Sequence, residues 1–178
     1  MTRFRKLTER EAFAGHVFRV AVADFESPDG EAFQREIVRH PGAVSVVPVD
    51  GSEAILVRQY RAAVDRDLLE IPAGKRDVAG EPPETTARRE LEEEIGMRAG
   101  RVEELAELYM TPGFSDEVMT IFLASDLETT AVQAHGVEEQ YMTIERVALA
   151  DVPGLIAAGE IADAKSIIGL LLARDRLS

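Results

Sequence analysis

Three glutamates constrain this chain more than any other feature. Glu90, Glu93 and Glu94 stand at i, i+3 and i+4, so a helix through them lines their carboxylates along one face. Like charges at that spacing cost about 0.2–0.5 kcal/mol per pair in an isolated helix. A helix made only for stability would place a lysine at one of them. Hard cations such as Mg²⁺ take oxygen ligands: a few carboxylates, with water and substrate phosphates. The segment Pro82 to Ile95 is therefore read as a helix whose acidic face can seat metal. Pro83 suits the first turn, where its missing N–H is not needed, and Gly96 falls where a left-handed cap would end the helix. A solvated acidic face would also explain Glu-Glu-Glu, so the surrounding pattern has to decide.

That pattern is mostly strand. Val17 to Phe25 and Ala32 to Arg39 are β-prone and joined by the turn Ser27-Pro28-Asp29-Gly30. Pro41-Gly42 then marks a boundary, dividing an N-terminal β-rich module, residues 1–41, from a main domain, residues 42–178. A second hairpin runs from Val44 to Val49, turns at Asp50-Gly51-Ser52 and returns over Ala54 to Gln59. The apolar run Val44-Ser45-Val46-Val47 predicts a strand covered on both faces. Val102 to Leu108, Val118 to Ala124 and Tyr141 to Val147 read as further strands, and Asp151 to Ala158 as a short helix. Ala164, Ile167, Ile168, Leu171 and Leu172 are expected to form the buried stripe of a last helix. Strands mixed with a few helices point to an α+β chain with a sheet between helices.

Composition narrows the function. The net charge is −13, from 33 acidic and 20 basic residues, which disfavours nucleic acid or an anionic membrane as partner. A diphosphate would need the acidic groups gathered around cations, or offset by arginines. No apolar run approaches the roughly 20 residues of a membrane span. Met1 to Arg10 is charged and does not read as a signal peptide, so a cytoplasmic location is expected. Cysteine is absent, which excludes disulfides and thiolate metal sites.

Residues 74 to 97 resemble the Nudix box: a glycine, a spaced glutamate, then Arg-Glu-hydrophobic-x-Glu-Glu-x-Gly-hydrophobic. Every position from Glu81 to Met97 fits. One departure stands out, since six residues rather than five separate Gly74 from Glu81. The extra residue falls in the Lys75 to Gly80 loop, so it should lengthen the turn without rotating the carboxylates. Leu68-Leu69-Glu70-Ile71-Pro72-Ala73-Gly74 is similar to the approach to the box in ADP-ribose pyrophosphatases. Thr111-Pro112-Gly113-Phe114-Ser115-Asp116-Glu117 is similar to the loop that follows it there. Pro112 lies fifteen residues past Met97, the position of a substrate marker in that subfamily.

The resemblance implies a Nudix fold, an α/β/α sandwich with a mixed central sheet between helices, plus the N-terminal β-hairpin module as a dimer-forming region. It implies metal-dependent hydrolysis of ADP-ribose to AMP and ribose 5-phosphate, with Mg²⁺, or Mn²⁺ in its place, by a homodimer. Glu90 and Glu94 lead as metal ligands and Glu93 follows, a candidate for the catalytic set as well. The backbone carbonyl of Ala73 is a further ligand on the family's pattern. Arg89 and Glu81 are expected to lock loop to helix by a salt bridge. The base comes from a later loop in such enzymes, here Ala134 to Gln140, with Glu139 first and Glu138 second. His135 in the same loop reads as solvated. Arg61, in its Gln-x-Arg context, matches a phosphate-contacting arginine, and Arg58 is a second candidate. Phe114 joins Pro112 near the substrate, while Phe13, Phe18, Phe33 and Phe114 remain equal candidates for stacking the adenine. Two alternatives stay open: hydrolysis of another nucleoside diphosphate sugar or a dinucleotide, and an ADP-ribose sensor that does not cleave. Such sensors usually lose box carboxylates, and this chain keeps all three.

Overall fold

The structure, a computed structural model, describes residues 3–130 and 139–178. It divides into two compact units, residues 1–42 with 109–118, and residues 43–108 with 119–178.

The first unit is a three-stranded antiparallel sheet of β1 (Arg5–Ala14), β2 (Arg19–Glu26) and β3 (Ala32–Arg39), in that order. The Ser27 hydroxyl closes the turn between β2 and β3, accepting from the N–H groups of Asp29 and Glu31 at 3.3 and 3.0 Å. Strand β1 was not expected. Its sequence, RKLTEREAFA, has no apolar alternation, and it is a strand because it pairs with β2. Phe33 stacks on Phe25 at 5.4 Å. The segment 109–118 is held to β3 by backbone bonds, Val38 N–H to the Phe114 carbonyl at 2.7 Å and Asp116 N–H to the Val38 carbonyl at 3.1 Å. Arg39 joins both parts of this unit, binding Glu9 on one side and Asp116 on the other.

The second unit is built on a mixed seven-stranded sheet. Its main path is β10 (Thr143–Ala148), β5 (Glu53–Arg61), β4 (Ala43–Asp50), β9 (Val118–Thr129) and β8 (Met97–Tyr109). Two short strands complete it, β6 (Arg66–Glu70) against β5 and β7 (Ala73–Lys75) against β4. Neither β6 nor β7 was expected, because each is too short to show a period and owes its form to its neighbour. Strands β4 and β9 are parallel, while β4 pairs antiparallel with β5. Seven consecutive residues of β4 are buried, as a strand covered on both faces requires.

Helices supply that cover. Helix α1 (Pro83–Ile95) packs Ala87, Leu91 and Ile95 on Val44, Val46, Ile55, Val57 and Phe122. Gly96 ends it with φ 61°, its N–H bonding the Glu92 carbonyl at 3.2 Å. That left-handed turn favours glycine. Helix α2 (Val152–Ala157) is short, and α3 (Ala164–Arg176) also packs on β4. The stripe expected on α3 needs correction. Its buried residues are Lys165, Ser166, Gly169, Leu170 and Ala173, while Ile168 and Leu171 are 37% and 40% exposed. The buried face is rotated because Gly169 lets the helix close on Ile71, Val47 and Ile121, and because a salt bridge buries Lys165. No helix among the described residues is long and apolar enough to cross a membrane.

Candidate active site

The three box glutamates lie on α1, and two of them are almost covered: Glu90 is 8% exposed and Glu94 6%. Their neighbours explain the glycine turn after β6. A Cβ on Gly74 would fall onto the Glu90 carboxyl group, so only glycine lets that carboxylate reach the backbone of β7. One residue earlier, Ala73 N–H donates to Glu94 Oε2 at 3.1 Å. Strand β7 is held for this purpose by pairing with β4, Ser45 opposite Ala73 and Val44 opposite Gly74.

Arg89 gathers the acidic groups around the helix. Its NH1 lies 2.9 Å from Glu93 and 3.0 Å from Glu90, and its NH2 lies 3.6 Å from Glu81 and 3.8 Å from Asp77. Thr86, fully buried, donates to Glu81 at 2.7 Å. The expected lock between loop and helix is therefore present, and the lengthened loop contributes Asp77 to it. Burial alone would lower the pKa of Arg89; the charges of Glu90, Glu93 and Glu81 outweigh that and raise it.

Among the described residues, no three acidic or histidine side chains converge as a ready-made cation cage. Mg²⁺ usually holds several waters and takes only one or two carboxylates, the substrate phosphates supplying the rest. Two nearly buried carboxylates against a polar backbone segment offer such a donor set, with oxygen ligands only. One guanidinium, Arg89, meets Glu90 and Glu93 together, leaving the α1 face net acidic.

The two arginines of β5 part company. Successive side chains alternate across a strand, which sends Arg58 and Arg61 to opposite faces. Arg58 forms a bidentate pair with Glu145 of β10, at 2.6 and 3.2 Å. Arg61 grips both oxygens of Glu70 at 2.8 and 2.7 Å. Its pKa is raised, first by Glu70 and, against burial, also by the charges of Glu94 and Asp163. Arg61, not Arg58, is thus on the side where Glu94 acts.

Glu139 begins a 3₁₀ turn, Glu139–Tyr141; Glu138 and His135 lie outside the described residues. Pro112 and Phe114 belong to the first unit, with Phe114 56% exposed. The other stacking candidates, Phe13, Phe18 and Phe33, are in that unit too, and Phe13 and Phe18 are exposed.

A buried ionic group went unnoticed in the sequence. Glu70 is 1% exposed, and beyond Arg61 it binds Lys165 of α3, which is itself buried. Lys165 also reaches Asp163 at 2.9 Å. The signal was a single glutamate set between Leu68-Leu69 and Ile71-Pro72, a charge where the pattern asks for an apolar residue.

The chain is similar to known proteins along most of its length. A NUDIX domain profile matches residues 39–167. The chain is 40% identical to the ADP-ribose pyrophosphatase of Bacillus subtilis (strain 168) over 163 residues, 91% of this chain and 88% of that one. It is 39% identical to the ADP-ribose pyrophosphatase of Mycobacterium tuberculosis over 170 residues, 94% of this chain and 82% of that one. A crystal structure described as an ADP compounds hydrolase matches with a TM-score of 0.87 at 26% identity, covering 98% of this chain and 94% of its own. With the box carboxylates in place and the likeness running along nearly its whole length, the chain belongs to the Nudix hydrolase family.

Proposed function

We propose that this chain hydrolyses ADP-ribose to AMP and ribose 5-phosphate, using Mg²⁺, with Mn²⁺ as a substitute. One observation carries the reading: Glu90 and Glu94, nearly buried, face the backbone of Ala73 and Gly74, with Arg61 within the field of Glu94. The names of the relatives at about 40% identity supply the substrate.

Roles follow from that arrangement. Glu90 and Glu94 would hold the cation, with Glu93 and the Ala73 carbonyl as further ligands. A cation bound there would supply charge neutralisation for the diphosphate oxygens and acidify water at the site. Arg61 presents guanidinium N–H groups to phosphate oxygens, a geometry suited to paired oxygens. Glu139 removes a proton from the attacking water, with Glu138 second in line. Pro112 and Phe114 contact the substrate. Water adds to one phosphorus, the bridging P–O bond breaks, and the two monophosphates leave with the protons shared between them. Arg58, on the opposite face of β5 and paired with Glu145, is the second candidate for the phosphate contact. The active domain is 42–178, the N-terminal module 1–41 joins two chains, and a cytoplasmic location goes with this substrate class.

The test is product analysis by chromatography, with and without Mg²⁺, on ADP-ribose and a panel of nucleoside diphosphate sugars and dinucleotides. AMP and ribose 5-phosphate should form fastest from ADP-ribose and only with metal. Faster cleavage of another panel member would discard ADP-ribose and keep the hydrolase. Binding of ADP-ribose without any cleavage would make the chain a sensor.

A further inference from the structure

The buried group around Glu70 holds two carboxylates, Glu70 and Asp163, and two cations, Arg61 and Lys165. Glu70 and Arg61 already form a fork-to-fork pair, with two parallel hydrogen bonds. Glu70 is thus already matched by one cation, and a buried ion pair is often no more stabilising than well-packed apolar residues of similar volume. Lys165 is nevertheless there, bonded to Glu70 Oε2 and to Asp163 Oδ2.

Lys165 is itself held on every side. Asp163 caps α3, accepting from Ser166 N–H at 3.0 Å and from the Ser166 hydroxyl at 2.6 Å. That hydroxyl oxygen in turn accepts from Ile71 N–H at 2.9 Å. The circuit therefore runs from Glu70 through Lys165, Asp163 and Ser166 back to Ile71, the residue that follows Glu70. It closes over a separation of 95 residues. Two residues beyond Ile71 is Ala73, which bonds Glu94.

Arg61 stands at the open end of this circuit. Its side chain is 39% exposed, and Nε and NH2 are both committed to Glu70. NH1 is the one guanidinium nitrogen not engaged with Glu70. An exposed arginine ordinarily samples many rotamers, and fixing it at the moment of binding costs side-chain entropy. Here one edge of the guanidinium is clamped beforehand and the other is left available. The clamp is only as rigid as Glu70.

We infer that Lys165 is a positioning residue for substrate binding: by fixing Glu70 it holds Arg61 with NH1 presented to a phosphate oxygen of the nucleoside diphosphate. The inference rests on the reading of Arg61 as the phosphate contact. Lys165 touches no substrate and takes no part in the proton transfer.

A double-mutant cycle tests it. Steady-state kinetics are measured for the wild-type chain and for Lys165→Met, Lys165→Arg, Arg61→Ala and the Arg61→Ala/Lys165→Met pair, with thermal melts of each. Lys165→Met should raise KM about tenfold, as expected for weakening one charged hydrogen bond, with a smaller change in kcat. Lys165→Arg should restore most of the affinity. The double variant should bind no more weakly than Arg61→Ala alone, because Lys165 acts only through Arg61. An unchanged KM in Lys165→Met overturns the inference, and so do KM effects that multiply in the double variant. If Lys165→Met does not fold, Lys165→Gln, which keeps an N–H donor for Glu70, takes its place in the cycle. The cycle is run on whichever panel member the wild-type chain cleaves fastest, or on the ADP-ribose Kd by calorimetry if nothing is cleaved. Failure of the ADP-ribose assignment then appears in the wild-type chain, and failure of the positioning role appears only in the cycle.

Discussion

Gly74 and Glu94 carry the sharpest consequences at the scale of single residues. Any side chain on Gly74 collides with the Glu90 carboxylate, so Gly74→Ala should push Glu90 away from β7. A displacement of about 1 Å at a catalytic group can cost on the order of 10²-fold in rate. A loss of that size in kcat, with an unaltered circular dichroism spectrum, is the expected outcome; an unimpaired variant would mean Glu90 does not hold its place through Gly74. Glu94→Gln keeps the shape and an oxygen for Ala73 N–H but removes the charge. Its kcat should fall on the order of 10²-fold or more, and the Mg²⁺ concentration for half-maximal rate should rise. Turnover equal to wild type at every Mg²⁺ concentration would remove Glu94 from the metal site. Both positions could be found by spacing along the chain. The reason for Gly74 could not, because it lies in a contact between β7 and α1.

The elements differ in how far local sequence announces them. Helix α1 was legible at both ends, since Pro83 and Gly96 act through their own backbone geometry. The β2–β3 hairpin was equally plain, its turn closed by Ser27 within four residues. Strands β1, β6 and β7 were not, because pairing partners elsewhere in the chain create them. Helix α3 misled for a different reason. Its buried face contains a lysine, a serine and a glycine, none of which an apolar pattern selects. Asp163, its cap, offers a pH test. Burial pushes the Asp163 carboxyl up, while the Lys165 charge and the hydrogen bonds from Ser166 outweigh it, leaving it below 3.8. A carboxyl lowered in the folded state stabilises above its unfolded value and loses that contribution as pH falls through the folded one. Asp163→Asn should therefore be less stable than wild type at neutral pH, by about 1–3 kcal/mol. The gap should narrow as pH drops below 3.8. Urea unfolding of both proteins across that range checks it, and a gap independent of pH would show that the charge of Asp163 contributes nothing.

For the whole molecule, the N-terminal sheet bears on assembly. All ten residues of β1 are exposed, with Leu7 and Phe13 on the strand and Phe4 just before it among the large apolar side chains left uncovered. An exposed strand with apolar side chains invites pairing with another chain. The chain should sediment as a homodimer at micromolar concentration, and removal of residues 1–41 should abolish that dimer. A wild-type monomer would rule it out.

By itself the sequence determined the chemistry: three carboxylates at helical spacing, a helix with its start and stop, and a box that names the family. Those features are local, encoded within a turn or two of backbone. Tertiary structure alone decided which groups meet. It brought the Glu90 carboxylate against Gly74 and buried Lys165 beside Glu70 across 95 residues. Such contacts depend on strand pairing and on which helix face closes on the sheet, and both are settled by packing over the whole chain.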